Sequence, residues 1–240
     1  MEKRLVLALL GIALASAAGA VDCRTETFSD LRFTICRVDA SRETLRVFYA
    51  DAAGTRYGGF ARLDAALGSE GRRLAFAMNA GMFHPDFRPV GLLVADSREI
   101  APINRAQGAG NFFLQPNGVF LVDAAGPRVL STDEYRNLKP VLATQSGPML
   151  LHRGQVPGIA AFRSTSRHVR NGVCVPQGTT VAFVISEDEV TFREFADYFS
   201  SVLGCTEALY FDGSISSLFS RQLKRADRRS ALGPIVAVIE

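Results

Sequence analysis

The sequence predicts an α+β fold of mixed, largely antiparallel sheets with a few packed helices, in a single domain. Three observations predict it. Short apolar or alternating runs outnumber helical stretches, and many are joined by tight turn signals. One segment near the C-terminus carries a clear helical stripe with its own cap. No repeat, low-complexity linker or composition break divides the chain.

The chain opens with Met1-Glu2-Lys3-Arg4, runs largely apolar from Leu5 to Leu14, and continues with small residues to Ala18-Gly19-Ala20. A charged start, a short apolar run and an A-x-A site read as a secretory signal peptide over residues 1–20. An uncleaved anchor is the alternative, although the run is short for a membrane span. Cleavage after Ala20 leaves 220 residues starting at Val21. No later segment is long and apolar enough to cross a bilayer as a helix. The mature protein is therefore expected to have no stable membrane span and to be periplasmic or secreted.

Phe33–Val38 and Leu45–Tyr49 read as strands. Ala61–Leu67 reads as a short helix stopped by Gly68. Leu74–Met78 is a buried strand leading into Asn79. Gly91–Ala95 and Arg98–Ala101 flank Asp96-Ser97 as a hairpin. Phe112–Gln115 and Val119–Val122 flank Pro116-Asn117-Gly118, and Asn-Gly between apolar runs predicts a second hairpin. Ala143–Leu151 is extended and turns at His152-Arg153-Gly154; Thr179–Ile185 is a strand. Phe192, Phe195, Ala196, Phe199, Val202 and Leu203 share one helical face. Thr191 with Glu194 makes a capping box, and Gly204 is a natural stop. This phenylalanine stripe reads as core packing. Leu209–Phe211 and Ile235–Ile239 complete the strands.

Composition excludes some function classes. The formal charge is +3, and +2 without the leader, too mild a balance to point to nucleic acid. Arg221–Arg229 holds five cations and one acid; it reads as a solvated loop or as a phosphate-facing patch. Four cysteines, Cys23, Cys36, Cys174 and Cys205, fit an exported chain and allow three pairings. The local arrangement, Cys23–Cys36 with Cys174–Cys205, is favoured. None has the spacing of a zinc or redox motif, and no cofactor or metal is expected. The chain has no G-x-S-x-G elbow, H-E-x-x-H, P-loop or G-x-G-x-x-G.

Four clusters at strand ends carry the chemistry. Asp212-Gly213-Ser214-Ile215-Ser216-Ser217 follows an apolar run that stops at a carboxylate. It is either a ligand-facing turn or a surface turn. Asn79-Ala80-Gly81-Met82-Phe83, with His84 and Asp86 after it, also follows a buried strand. Asn79 offers an amide or closes an Asx turn, and Gly81 lets the backbone approach a ligand. Ser146-Gly147-Pro148-Met149-Leu150 lines a pocket or starts a strand. Arg167-His168-Val169-Arg170-Asn171-Gly172 offers the planar fork of Arg170, suited to phosphate or carboxylate, or is a hairpin with surface arginines.

Asn-x-Gly-x-Phe at 79–83, Ser-Gly-Pro-x-Leu at 146–150, Arg-Asn-Gly at 170–172 and Asp-Gly-Ser-x-Ser-Ser at 212–217 occur in that order. Together they resemble the phosphodiester glycosidase family over about residues 75–240. The resemblance implies an α+β domain over residues 21–240 with a cleft lined by these motifs. It places Asn79 and Gly81 in the family's Asn/Gly motif, Arg170 in its Arg motif, and Asp212 and Gly213 in its Asp-Gly motif. Many members continue Asp-Gly-Gly-Gly-Ser where this chain has Asp212-Gly213-Ser214-Ile215-Ser216. The eukaryotic Arg-Thr-Ala-Ile-Gly stands here as Arg170-Asn171-Gly172-Val173-Cys174, and the match can also start at Arg167.

The chemistry follows independently. A glycosidase usually needs two carboxylates, one of them as the acid that protonates a poor leaving group. A phosphodiester leaving group is already a weak base and needs a cation more than a proton. One carboxylate and one guanidinium are a sensible minimum: Asp212 to activate water or stabilise the oxocarbenium ion, and Arg170 to grip phosphate. His84 is the reserve acid or base. Asn79, Gly81, Phe83, Ser146, Gly147, Asn171, Gly213, Ser214 and Ser216 are the expected substrate contacts. The expected partner is a sugar-phosphate or cell-envelope glycan substrate. Two other readings use overlapping residues: a non-catalytic envelope module that binds glycans or phosphoglycans, and a hydrolase pairing Ser146 or Ser166 with His84, His152 or His168.

Overall fold

The computed structural model describes residues 21–228 and 230–240; the leader expected over residues 1–20 lies outside the described residues. In chain order the elements are β1 (Asp22–Phe28), β2 (Leu31–Asp39), β3 (Thr44–Phe48), α1 (Phe60–Ser69), β4 (Leu74–Asn79), β5 (Leu93–Ala95), β6 (Arg98–Ala101), β7 (Gly118–Asp123), β8 (Gly126–Ser131) and β9 (Leu142–Ser146). There follow β10 (Met149–Leu151), β11 (Asn171–Gln177), β12 (Thr180–Ser186), α2 (Phe192–Ser201), β13 (Ala208–Tyr210), β14 (Leu218–Ser220), β15 (Arg225–Ala226) and β16 (Ile235–Ile239).

The strands form three sheets, in the orders β1-β2-β12-β11-β13-β10, β15-β14-β4-β16-β3 and β6-β5-β9-β7-β8. Every ladder among the described residues is antiparallel. The described residues are thus richer in strand than the expected α+β class suggests, with two α-helices laid on sheets.

Strand periodicity explains the layering. Along β12, Val181, Phe183 and Ile185 enter a central core, while Ala182 and Val184 enter the core under α2. Along β16, Val236 and Val238 face the same central core, and Ile235, Ala237 and Ile239 face α1. The central core also takes Leu93, Phe120 and Leu142 from the third sheet, so all three sheets share it. These strands are apolar on both faces because both faces are covered.

α2 forms as its periodicity demands. Glu194 N–H donates to Thr191 Oγ1 (3.1 Å) and Thr191 N–H donates to Glu194 Oε2 (2.8 Å), closing the capping box. Its buried face, Phe192, Phe195, Ala196 and Phe199, packs with Phe33, Ile35 and Leu150. Both expected disulfides are present. Cys23–Cys36 spans directly paired residues of β1 and β2, and Cys174–Cys205 ties β11 to the segment after α2. No helix among the described residues is long and apolar enough to cross a membrane.

Two expectations are corrected. Residues 112–122 do not form a hairpin about Asn117-Gly118. Asn111–Phe113 is a short 3-10 turn, and β7 pairs instead with β8 and β9. The Asn117 carboxamide donates to Phe112 O (2.8 Å) and closes the loop through its side chain. The extended Ala143–Leu151 segment is two strands, β9 and β10, in different sheets, parted at Gly147-Pro148. In the cationic Arg221–Arg229 stretch, Arg221 donates to Leu74 O (2.8 Å) and pairs with Asp64, while Arg225 pairs with Glu187 and Asp227. Those two arginines hold the loop to the body.

Phe195 is fully buried between Phe33 and Phe199. Phe195→Ala is expected to cost about 3–5 kcal/mol. Urea titration would show a lower midpoint with an unchanged slope; an unchanged midpoint would contradict the packing described.

Candidate functional site

The end of β4 meets the ends of β11 and β13 in a buried hydrogen-bond knot. Asn79 is 0% exposed. Its Nδ2 donates to Asp212 O (2.8 Å), and its Oδ1 accepts from Asn171 Nδ2 (3.0 Å) and Ser217 N–H (2.8 Å). Ser216 Oγ lies 3.1 Å from both Asn171 Oδ1 and Gly213 O. Asp212 N–H donates to Ala80 O (3.2 Å). The Asn79 and Asp212 motifs, far apart in the chain, are therefore one structural unit. The carboxamides of Asn79 and Asn171 are satisfied internally, so they position the turn and do not offer themselves to a ligand.

The glycines explain how close the segments come. A Cβ at Gly81 would lie 2.4 Å from Gln145 O and 2.6 Å from Thr144 Oγ1, and Gly81 N–H donates to that hydroxyl (3.0 Å). A Cβ at Gly213 would lie 1.8 Å from the Tyr210 hydroxyl. Both positions require the missing side chain.

The Asp212 carboxylate is half-buried and accepts one long hydrogen bond, from Ser214 N–H (3.3 Å). Burial raises its pKa above the usual carboxylate value, and the Ser214 bond offsets this only in part.

Arg170 is 2% exposed. Its guanidinium lies over the Phe192 ring, 3.8 Å from the centroid, and its Nε donates to Val190 O (2.8 Å). Nη1 donates to the Tyr210 hydroxyl (3.3 Å) and Nη2 to Ser166 O (3.1 Å). Three of five guanidinium N–H groups are thus bonded, and two have no protein acceptor among the described residues. Burial pulls the Arg170 pKa down, opposed only by Tyr210, with no carboxylate among its neighbours. A desolvated cation without a counter-ion costs stability unless a ligand supplies the anion.

Arg170 lines a cavity of about 310 Å³ with Asn111, Ser166, His168, Tyr210, Gly213 and Ser214. Of the expected site residues, Arg170, Gly213 and Ser214 line this cavity together; Asp212, the residue before Gly213, is not among its lining residues. His84, Phe83, Ser146 and Gly147 are not among the residues that line this cavity. His84 is exposed on a turn closed by Phe87 N–H to His84 O (2.7 Å). Phe83 stacks on Phe87 and presses on Gly233. Ser146 is fully buried, and the α-carbon of Gly147 packs on Asn117.

Sequence reasoning did not single out Tyr210, Phe192 or Asn111. Tyr210 read as strand interior and Phe192 as core stripe. Phe192 is indeed core, and it also carries the arginine on its ring face. A larger groove of about 640 Å³ runs beside α1, lined by Tyr57, Phe60, Asp64 and Arg228, and contains none of the expected site residues. Among the described residues no cluster of His, Cys, Asp and Glu has the makings of a metal site.

Asp212→Asn tests the burial of the carboxylate. A raised folded-state pKa means that ionisation costs stability. The fold is most favoured below the unfolded value of 3.8 and loses that increment as pH rises through the folded pKa. The variant is expected to melt above the wild type at neutral pH, the difference vanishing below about pH 4. Equal melting temperatures throughout would refute the assignment.

A family model described as phosphodiester glycosidase matches residues 72–233. The chain is 31% identical over 222 residues to the uncharacterized protein YigE of Escherichia coli strain K12, covering 91% of this chain and 85% of that one. Its fold is similar to the catalytic domain of zebrafish N-acetylglucosamine-1-phosphodiester alpha-N-acetylglucosaminidase auto-inhibited by its pro-peptide. That match has a TM-score of 0.61 at 13% identity and covers 91% of this chain and 81% of that one. A hypothetical protein from Synechocystis is also similar, with a TM-score of 0.57 at 15% identity, covering 90% of this chain and 61% of that one.

Proposed function

Because the chain belongs to the phosphodiester glycosidase family, we propose that it hydrolyses a glycosyl-1-phosphodiester bond in the cavity beside Arg170. The observation that carries this reading is the buried Arg170: a cation that, among the described residues, has two N–H groups without an acceptor and no carboxylate partner, and that lines a cavity. Two N–H groups suit the two non-bridging oxygens of a phosphodiester.

Asp212 is the proposed base. Its raised pKa makes it a stronger proton acceptor than an exposed carboxylate. Water oxygen adds to the anomeric carbon, and Asp212 takes a water proton. The electron pair of the C–O bond leaves on the phosphate oxygen, where Arg170 stabilises the developing charge. The products are the free sugar and a phosphomonoester. Ser214 and the Gly213 backbone face the same cavity and are placed to hold hydroxyl groups. The two disulfides support an extracytoplasmic location, periplasmic or secreted, which makes a cell-envelope glycan phosphate the proposed substrate.

The Ser166–His168 contact (2.8 Å) invites a nucleophile–base reading. Among the described residues no carboxylate accepts from the second ring nitrogen, as a triad needs, so the glycosidase reading is preferred.

Hydrolysis of a sugar-1-phosphodiester with a chromogenic aglycone tests the assignment. Asp212→Asn is expected to lower kcat by about 10²- to 10⁴-fold, and Arg170→Lys to raise KM and lower kcat together. A folded Asp212→Asn protein with wild-type kcat would sink the mechanism. Wild-type binding of the phosphodiester without turnover would favour a glycan-binding module instead.

A further inference from the structure

The cavity holds a second basic group that the proposed cleavage does not use. His168 lines it two residues before Arg170. Its main chain is fixed by a bridge to Val190: His168 N–H donates to Val190 O (3.1 Å), and Val190 N–H returns a bond to His168 O (2.9 Å). The same Val190 carbonyl accepts from Arg170 Nε. Ser166 also serves both residues. Its hydroxyl lies 2.8 Å from His168 Nε2, and its carbonyl accepts from Arg170 Nη2. His168 through its main chain and Arg170 through its side chain therefore share one carbonyl, and both are tied to one serine, at the edge of one cavity.

We propose that His168 and Arg170 form a two-cation site for a phosphomonoester dianion, which, on the glycosidase reading above, is the product of the reaction. A phosphodiester carries one negative charge, and Arg170 matches it. Cleavage of the glycosidic C–O bond leaves a monoester with close to two charges and a third terminal oxygen. In the imidazolium form both ring nitrogens donate. Nε2–H is taken by Ser166 Oγ, which leaves Nδ1–H for that third oxygen. The other charged or titratable groups around the imidazole are Arg170 and Tyr210 in the cavity, Glu189 beside Val190, and Arg167. The last is paired with Glu194 of α2 (2.9 Å). The enzyme then holds its product more tightly than its substrate and is inhibited by monoesters.

Calorimetric titration of the whole protein with glycerol phosphate and with dimethyl phosphate tests this. Wild type is expected to bind the monoester about tenfold more tightly than the diester. His168→Gln is expected to lose that tenfold for the monoester, with diester affinity within about twofold of wild type. Arg170→Lys should weaken both ligands. His168 is exposed, so its replacement should leave the melting temperature unchanged, and Ser166→Ala provides a second variant that should reduce the same preference. Equal affinity of wild type for the two probes, or a preference untouched in His168→Gln, would overturn the two-cation site. A hydrolytically inert wild type that keeps a His168-dependent preference would overturn the glycosidase reading and leave this site standing. An active enzyme without the preference would do the reverse.

Discussion

The Asn79 carboxamide is the constraint on which the arrangement of the site depends. It lies at the last residue of β4, in the second sheet, and bonds to residues that follow β13 and begin β11, in the first. Its partners are the Asp212 carbonyl, the Asn171 carboxamide and the Ser217 N–H. All are buried groups that need a partner, so the amide cannot be replaced without stranding several of them. Because Asn171 follows Arg170 and Asp212 precedes Gly213, fixing this one amide fixes the backbone of both charged residues. The Gly81 contact with β9 extends the constraint to the third sheet.

The two charged residues are held by different means, and neither is the other's ion partner. Asp212 is pinned through its main chain, by Asn79 at its carbonyl and Ala80 at its N–H. Arg170 is pinned through its side chain, by Val190, Ser166 and Tyr210, and lies flat on Phe192. Here each keeps the penalty of burial, seen as an upward shift for Asp212 and a downward one for Arg170. The fold supplies the rigidity through the central core under the first sheet and the α2 packing above it.

What was legible in the sequence was local. α2 announced itself through a 3.6-residue stripe and a capping box, both contained within a dozen residues. The strands buried on two faces announced themselves through unbroken apolar runs such as Thr180–Ser186. β1 was not visible, because Asp22–Phe28 is largely polar and becomes a strand only through its pairing with β2 and the Cys23–Cys36 bond. Asn117-Gly118 misled for a related reason. The dipeptide suits a hairpin, but the Asn117 side chain reaches back to Phe112 O instead. Of the proposed site residues, Asp212 was legible because a carboxylate ending an apolar run is a local anomaly, and Arg170 because its planar fork stands before an Asn-Gly turn signal. The difference between Asn79 as ligand contact and Asn79 as internal strut was not, since it depends on residues more than ninety positions away.

Tyr210 shows how the two levels join. In sequence it is the third residue of an apolar run; in the fold its hydroxyl accepts from Arg170 Nη1 and occupies the space that a Cβ at Gly213 would need. The motif Tyr-Phe-Asp-Gly therefore alternates two tasks at a strand end. Tyr210 and Gly213 shape the arginine's cavity, while Phe211 enters the central core and Asp212 carries the charge. The period of two that buries Phe211 turns Tyr210 to the α2 side of the sheet, where Phe192 and Arg170 lie. The glycine is then required to admit the tyrosine hydroxyl. In the proposed reaction a phosphate leaving group needs no second acid, because its own weak basicity supplies what a sugar alkoxide would lack.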